Sequence, residues 1–400
     1  MLSNFVKGID ESVTLATAAR ASALKEEGRD VLLLTVGQPD FTTPKHIEDR
    51  AIEVMETGRS SFYTPASGLP ILKKAIASYM DEHYGFQPNP NEIIVTSGAK
   101  FAIYAFFMSV LNPEDEVIIP CPYWVSYADQ VKMAGGEPVF VNCDEANDFK
   151  LTLEQVEKAR TDKTKVLLIN SPSNPTGMLY SQDELRILGE WAVKHNILIL
   201  SDDIYHRLVY NGNYADKMAA ISPEIREKTV VINGISKTYA MTGWRIGFAV
   251  GPEPIISAMS KIASQTTSNP ATIAQYAAIE ALTGNQDAVE KMRVEFENRL
   301  NTIYPLLEEI PGFKTIKPQG AFYFFPDVSE AMELSGFSDV TDFTNALLEE
   351  EGVAIVTGAG FGSPNHVRLS YATDMETLKE AVKRIKHFMN VRMRDEATNE

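Results

Sequence analysis

Lys237 stands on a small-residue loop within VVINGISKTYAMTGWRIGFAVG, Val230 to Gly251, between two apolar runs, and Arg245 opens the second run. An amine and a guanidinium in apolar surroundings cost desolvation unless an anion binds there. Other residues able to do chemistry sit at the ends of other apolar runs. Ser97-Gly98-Ala99-Lys100 precedes the helical FAIYAFFMSVL. Free backbone N–H groups there can cradle a phosphate, to which Arg245 adds a bidentate fork. Trp124 offers a flat face for an aromatic ring. Asp202 follows the apolar ILILS, where a buried carboxylate makes sense only with a cationic partner such as a protonated ring nitrogen. Tyr205 and Asn174 can hydrogen-bond a phenolate oxygen. Together these groups fit a phosphorylated pyridine aldehyde, with Lys237 as the Schiff-base amine.

Such residues are useful only if the fold brings them together. Between about His46 and Leu282 the runs EIIVTSG, EDEVIIP, EPVFVN, KVLLINSP, ILILSDD, TVVINGIS and RIGFAVG alternate with helical stretches. That alternation predicts a mostly parallel sheet covered on both faces, an α/β fold. Ligands of such sheets gather at the carboxyl ends of the strands, and TSGAK, CPYW, NSPSNPTG, SDDIY and NGISK all follow strands. From Pro311 onward FKTIKP, GAFYFFPD, VAIVTGAG and HVRLSYA, interleaved with helices, predict a smaller α+β unit that DVLLLTVG joins. The chain of 400 residues is long enough for two cores. The expected division is an N-terminal arm and part of the small domain over 1–45, a large domain over 46–288 and a small C-terminal domain over 289–400.

A net charge of −17 argues against nucleic acid or an anionic membrane as partner, since either requires a basic face. Cys121 and Cys143 form neither a disulfide framework nor a CxxC, and the six histidines are scattered away from ligand spacing, so no metal is expected. MLSNFVKGIDES has no apolar signal-like core and no run reaches membrane-spanning length, which predicts a cytoplasmic protein.

The stretches VGQPDF, YTPASGLPILKKAI, SPSNPTG, SDDIY, SKTYAMTGWRIGF and HVRLSYA occur in this order. As a set, from about Ser12 to His387, they make the chain resemble a class I aminotransferase of the pyridoxal-phosphate fold-type-I superfamily, and more narrowly the bacterial subgroup Ib aspartate aminotransferases. The resemblance implies a three-layer fold, a homodimer with shared active sites and pyridoxal 5'-phosphate as cofactor. It also implies amino transfer between aspartate or glutamate and 2-oxoglutarate or oxaloacetate, with prephenate as a further acceptor. Carried onto this chain, it makes Lys237 the Schiff-base lysine, Asp202 the partner of the pyridine nitrogen, and Tyr205 and Asn174 the donors to the ring oxygen. Gly98, Ala99 and Arg245 become phosphate contacts, with Lys100 and Ser236 beside the cofactor, Trp124 stacked on its ring and Tyr63 reaching in from the other subunit. Arg368 becomes the clamp on the substrate α-carboxylate, with the Gly37 backbone, Asn174 and Trp124 alongside. Lys100 and Thr14 take the distal carboxylate.

Two positions depart from relatives. Gly234 replaces a phosphate-binding serine, and Ser264 stands at the counterpart of the distal arginine of subgroup Ia. Alternatives within the fold are an aromatic or alanine aminotransferase or a C–S β-lyase, and outside enzymes a sensor that binds the cofactor without turnover. Of the adjacent acids only one can face inward if the strand continues; the apolar run and the register of the resemblance both choose Asp202, which leaves Asp203 to solvent or structure. VAIVTGAGFGS imitates a dinucleotide loop but has Ser363 where the third glycine belongs.

Overall fold

The protein is described by a computed structural model over residues 2–9 and 13–399, with the backbone alone for Asn4, residues 13–15 and 395–399. The N-terminal segment supplies β1 (Leu32–Leu33). Each of the seven apolar runs becomes one strand: β2 (Ile93–Thr96), β3 (Glu116–Cys121), β4 (Glu137–Asn142), β5 (Thr164–Asn170), β6 (Leu198–Asp202), β7 (Thr229–Gly234) and β8 (Gly247–Val250). They form one sheet in the order β2-β8-β7-β6-β5-β3-β4, in which β8 alone runs against the rest.

The central runs are continuously apolar because both faces are covered, whereas the edge strand β4 leaves Glu137, Phe140 and Asn142 exposed. Val117, Val166, Leu168, Leu200 and Ile232 join a cluster with Phe106 on one face. Their alternates Ile118, Leu167, Ile169 and Ile199 pack against Leu185, Leu188 and Trp191 on the other. The helix Gln182–Lys194 that supplies the second set starts at a capping box, Ser181 with Glu184.

Beyond the long helix Asp287–Leu307 come β9 (Tyr323–Phe324), β10 (Val353–Ala354), β11 (Val356–Thr357) and β12 (Val367–Ser370). Strands β11, β12 and β9 are antiparallel neighbours, and β1 pairs in parallel with β10, so DVLLLTVG does join the C-terminal elements. FKTIKP is not a strand. Its pairing stops at one bridge, Lys314 with Asp327; at the next residue the Thr315 N–H donates to Glu308 Oε1 at 3.1 Å and the Thr315 carbonyl accepts from Tyr304 at 3.3 Å, so side chains take the groups a longer ladder would use. Pro318, with no N–H, stops any extension. One core cluster holds Leu34 and Tyr205 together with Phe296, Phe322, Phe343 and Leu369, tying the C-terminal elements to the loop after β6. Among the described residues no helix is long and apolar enough to cross a membrane.

Candidate active site

Six strands point the same way, so the loops after β2, β3, β5, β6 and β7 open at one edge. Arg245 precedes the reversed strand β8 and therefore starts from that edge too. A cavity of about 450 Å³ lies there, lined by Lys100, Trp124, Asn174, Asp202, Lys237 and Arg368. Gly37, Ala99, Tyr205, Ser236 and Arg245 complete its wall. Tyr63 is 92% exposed and away from the cavity in the single chain, and the side chain of Thr14 lies outside the described residues.

At the cavity floor, Asp202 is buried, with Oδ2 accepting from the Tyr127 hydroxyl at 2.6 Å and Oδ1 from the Ile204 N–H at 3.2 Å. Burial pushes its carboxyl up to about 6, against the pull of Tyr127, Ile204 and Lys237. Lys237 donates to the Gly37 carbonyl. Burial draws its ammonium down to about 8, helped by repulsion from Arg245 and Arg368 and opposed by Asp202. An amine so tuned has a substantial neutral fraction near neutrality, which a proton acceptor requires. The Tyr205 hydroxyl lies 2.9 Å from that of Tyr323.

Asp203 points away from this cavity but not into solvent. It accepts from Ser201 Oγ at 2.7 Å and Tyr84 Oη at 2.9 Å, and burial pushes it up to about 7. An acid raised above its unfolded value contributes stability that is full below the ordinary aspartate pKa and lost as pH rises through about 7. Asn at this position mimics the protonated acid. Asp203→Asn should therefore match wild type in urea midpoint near pH 4 and exceed it increasingly toward pH 8; a difference independent of pH would refute the assignment.

The anion-holding groups are better defined. Arg368 is buried, donating from Nη1 to Asn174 Oδ1 at 3.0 Å and from Nη2 to the Thr35 carbonyl at 2.9 Å. Its Nε has no partner, and among the described residues no carboxylate lies within 4.0 Å of the guanidinium. A buried cation left in that state is expensive, so the site is built for an incoming carboxylate. At the other end Gly98, with φ +86°, begins the helix Ala99–Val110, and a β-carbon on it would collide with the Arg245 guanidinium. The guanidinium thus lies against a helix N-terminus, a ready anion cradle. Gly234 sits where a side chain has little room. A β-carbon there would come within 2.9 Å of the Ile246 carbonyl across β7 and β8.

Lys100 holds its Nζ 4.9 Å from the Trp124 ring centre. Although much of the residue is exposed, its ammonium is held below the ordinary lysine range by partial desolvation and then by Arg245. The lining thus contains four cations, Lys100, Lys237, Arg245 and Arg368, against the one carboxylate of Asp202. The donor set fits pyridoxal phosphate: a cradle for the dianion, an aromatic wall at Trp124, a buried acid for the ring nitrogen and an amine for the aldehyde.

Sequence reasoning passed over Tyr127 and Tyr323. Tyr127 had a signal, since it lies one helical turn beyond Trp124 and contacts it edge to face at 5.2 Å. Tyr323, on β9, had none.

A family model described as aminotransferase class I and II matches residues 29–385. An asparagine–oxo-acid transaminase of Streptococcus mutans is 64% identical, covering 97% of this chain and 99% of that protein. An aspartate aminotransferase of Bacillus subtilis is 53% identical, covering 97% of this chain and 98% of its own length. A solved structure of the aspartate aminotransferase of Thermus thermophilus with maleate superimposes with a TM-score of 0.92 at 40% identity, covering 97% of this chain and 99% of that one.

Proposed function

The chain belongs to the class I and II aminotransferases, and from that premise we propose that it moves the amino group of a dicarboxylic amino acid, aspartate or glutamate, onto a 2-oxo acid such as 2-oxoglutarate or oxaloacetate. The observation that carries the reading is the charge surplus, four cations facing one acid. A phosphate and one α-carboxylate engage Arg245 and Arg368, and Lys100 remains for a second carboxylate. Maleate, named with the Thermus thermophilus relative, is such a dicarboxylate.

Pyridoxal phosphate, when bound, supplies an aldehyde that accepts the amino group and a ring that takes up the electrons of the broken Cα–H bond. The protein's own groups supply the rest. Gly98, Ala99 and Arg245 hold the phosphate, with Ser236 beside it, and Trp124 walls the ring. Asp202 keeps a positive charge at the ring nitrogen, while Tyr205 and Asn174 donate to the ring oxygen. Arg368 fixes the α-carboxylate so that Cα lies within reach of Lys237 Nζ, which removes and returns the proton. In the second half-reaction the same groups act in reverse on the oxo acid.

The reading includes a homodimer, supported by Phe62 and Tyr63, 73% and 92% exposed side by side, which suit an interface where Tyr63 meets the partner's phosphate. It also includes the division at residues 46 and 288, a cytoplasmic location, and Thr14 beside the distal carboxylate. Prephenate, with its second carboxylate, is a further acceptor.

Single-turnover rates with aspartate, glutamate, asparagine and alanine test the substrate assignment. Lys100→Ala should lower kcat/KM for aspartate and glutamate by about 10- to 100-fold, the worth of a hydrogen bond to a charged group. It should leave alanine nearly unchanged. Asparagine, named for the Streptococcus mutans relative, lacks the second charge and should follow alanine. An equal loss across all four donors would overturn the distal role of Lys100.

A further inference from the structure

A second cavity, of about 460 Å³, lies behind the loop that carries Asp202 and Tyr205, walled by that loop, the helix Pro70–Tyr84 and the helix Asp287–Leu307. Tyr205 lines the first cavity, and its neighbour His206 lines the second. Two cations in the second cavity, which Glu82 and Glu297 also line, form no close ion pair, and they act on Asp203 and Glu290 only at longer range. Arg207 donates from Nη1 to His83 Nε2 at 3.0 Å, and Lys217, only 6% exposed, donates to the Ala215 carbonyl and stands 4.0 Å from the Tyr214 ring centre. Among the described residues neither has a carboxylate within 4.0 Å, whereas Arg293 on the same wall is answered by Glu290 and Glu297. The nearby Glu82 is 73% exposed and its closest basic contact is His83, at 3.9 Å.

This arrangement runs against the composition. Acids outnumber lysines and arginines 54 to 37, so a counter-ion for a structural cation would be easy to supply. The ammonium and the guanidinium line one cavity, where two like charges raise the local potential. The imidazoles bring no anionic relief. Burial, then Arg207, presses His83 down to about 4, and His206 is held well below the ordinary range by burial, Lys217 and Arg207, so both are neutral near pH 7. His206 is itself fixed, with Nε2 2.7 Å from Tyr79 Oη and Nδ1 2.9 Å from the Asp203 carbonyl, so the cavity floor is rigid.

We propose that this cavity is a binding site for a phosphate group, held by the guanidinium fork of Arg207 and the ammonium of Lys217. Arginine supplies two parallel donors to an oxyanion and lysine a compact point charge, a complementary pair for a tetrahedral dianion. The site is separate from the cofactor's phosphate cradle, which is built on Gly98 and Arg245 at the other side of the loop. Its occupant ties that loop to two helices.

Calorimetric titration of the cofactor-saturated protein decides the matter, using inorganic phosphate and glycerol 3-phosphate separately at ionic strength matched with sodium chloride. Saturable binding of either supports the site, and the tighter of the two tells a free ion from a phosphomonoester. Arg207→Gln and Lys217→Gln should each weaken binding at least about 10-fold. Arg207 is the less buried of the two, so its variant keeps the test available if Lys217→Gln does not fold. Absence of saturable binding by both anions, or wild-type affinity in Arg207→Gln, overturns the proposal.

Discussion

Lys237→Ala lowers kcat by about 10⁴-fold while the protein stays folded and still binds pyridoxal phosphate. The size follows from the role. A positioned acid–base group contributes up to about 10⁴-fold, and Lys237 offers the cavity an amine whose pKa, about 8, suits proton transfer at Cα. Binding should survive because, on the proposed reading, Arg245, the Gly98 turn and Asp202 hold the phosphate and ring independently of it. Lys237→Arg should not restore turnover. A guanidinium with a pKa above about 12 gives no neutral fraction near pH 7. Retention of more than a tenth of the wild-type single-turnover rate in either variant would place the base elsewhere.

Asp202→Asn is expected to reduce kcat by about 10²- to 10³-fold, the loss typical when one fixed charge opposite a reacting group is removed. The amide has nearly the carboxylate's shape and still accepts from Tyr127, so packing is kept while the charge is lost. The sign of the electrostatics fixes the interpretation. Without a cation opposite, burial holds this carboxyl up at about 6; a cationic ring nitrogen favours the ionised form and brings it back down. The variant lacks the anion that keeps a ring proton in place, so the absorbance of its bound cofactor should titrate with pH in the range where that of the wild type is flat. A cofactor spectrum and rate indifferent to the substitution would refute the pairing.

The sheet was legible because strands buried on both faces must be apolar throughout, as the central runs are, while the edge strand β4 is partly exposed. The edge carrying the chemistry was legible for the same reason, since polar residues such as Asp202 and Lys237 are conspicuous directly after such runs. Strand alternation lets only one of Asp202 and Asp203 face the site, and the apolar run with the register of the resemblance chose Asp202; Asp203 is buried against Tyr84, where the sequence also allowed solvent. Less local features were hidden. Arg368 reaches the Thr35 carbonyl across 333 positions, and Tyr323 reaches Tyr205 from a two-residue strand. No pattern in a single sequence encodes such meetings, because they depend on how separately formed elements pack. FKTIKP reads as a strand by hydrophobicity, yet after a single bridge at Lys314 the side chains of Tyr304 and Glu308 claim the Thr315 backbone groups. The glycine at 234 looked like a lost hydroxyl until its closeness to Ile246 was visible.

The central claim is that a vitamin B6 aldehyde attaches to one particular nitrogen. Borohydride reduction of the purified protein, followed by peptide mass spectrometry, should place a phosphopyridoxyl mass on the peptide containing Lys237. An unmodified Lys237 peptide, or the adduct on another lysine, would contradict the account.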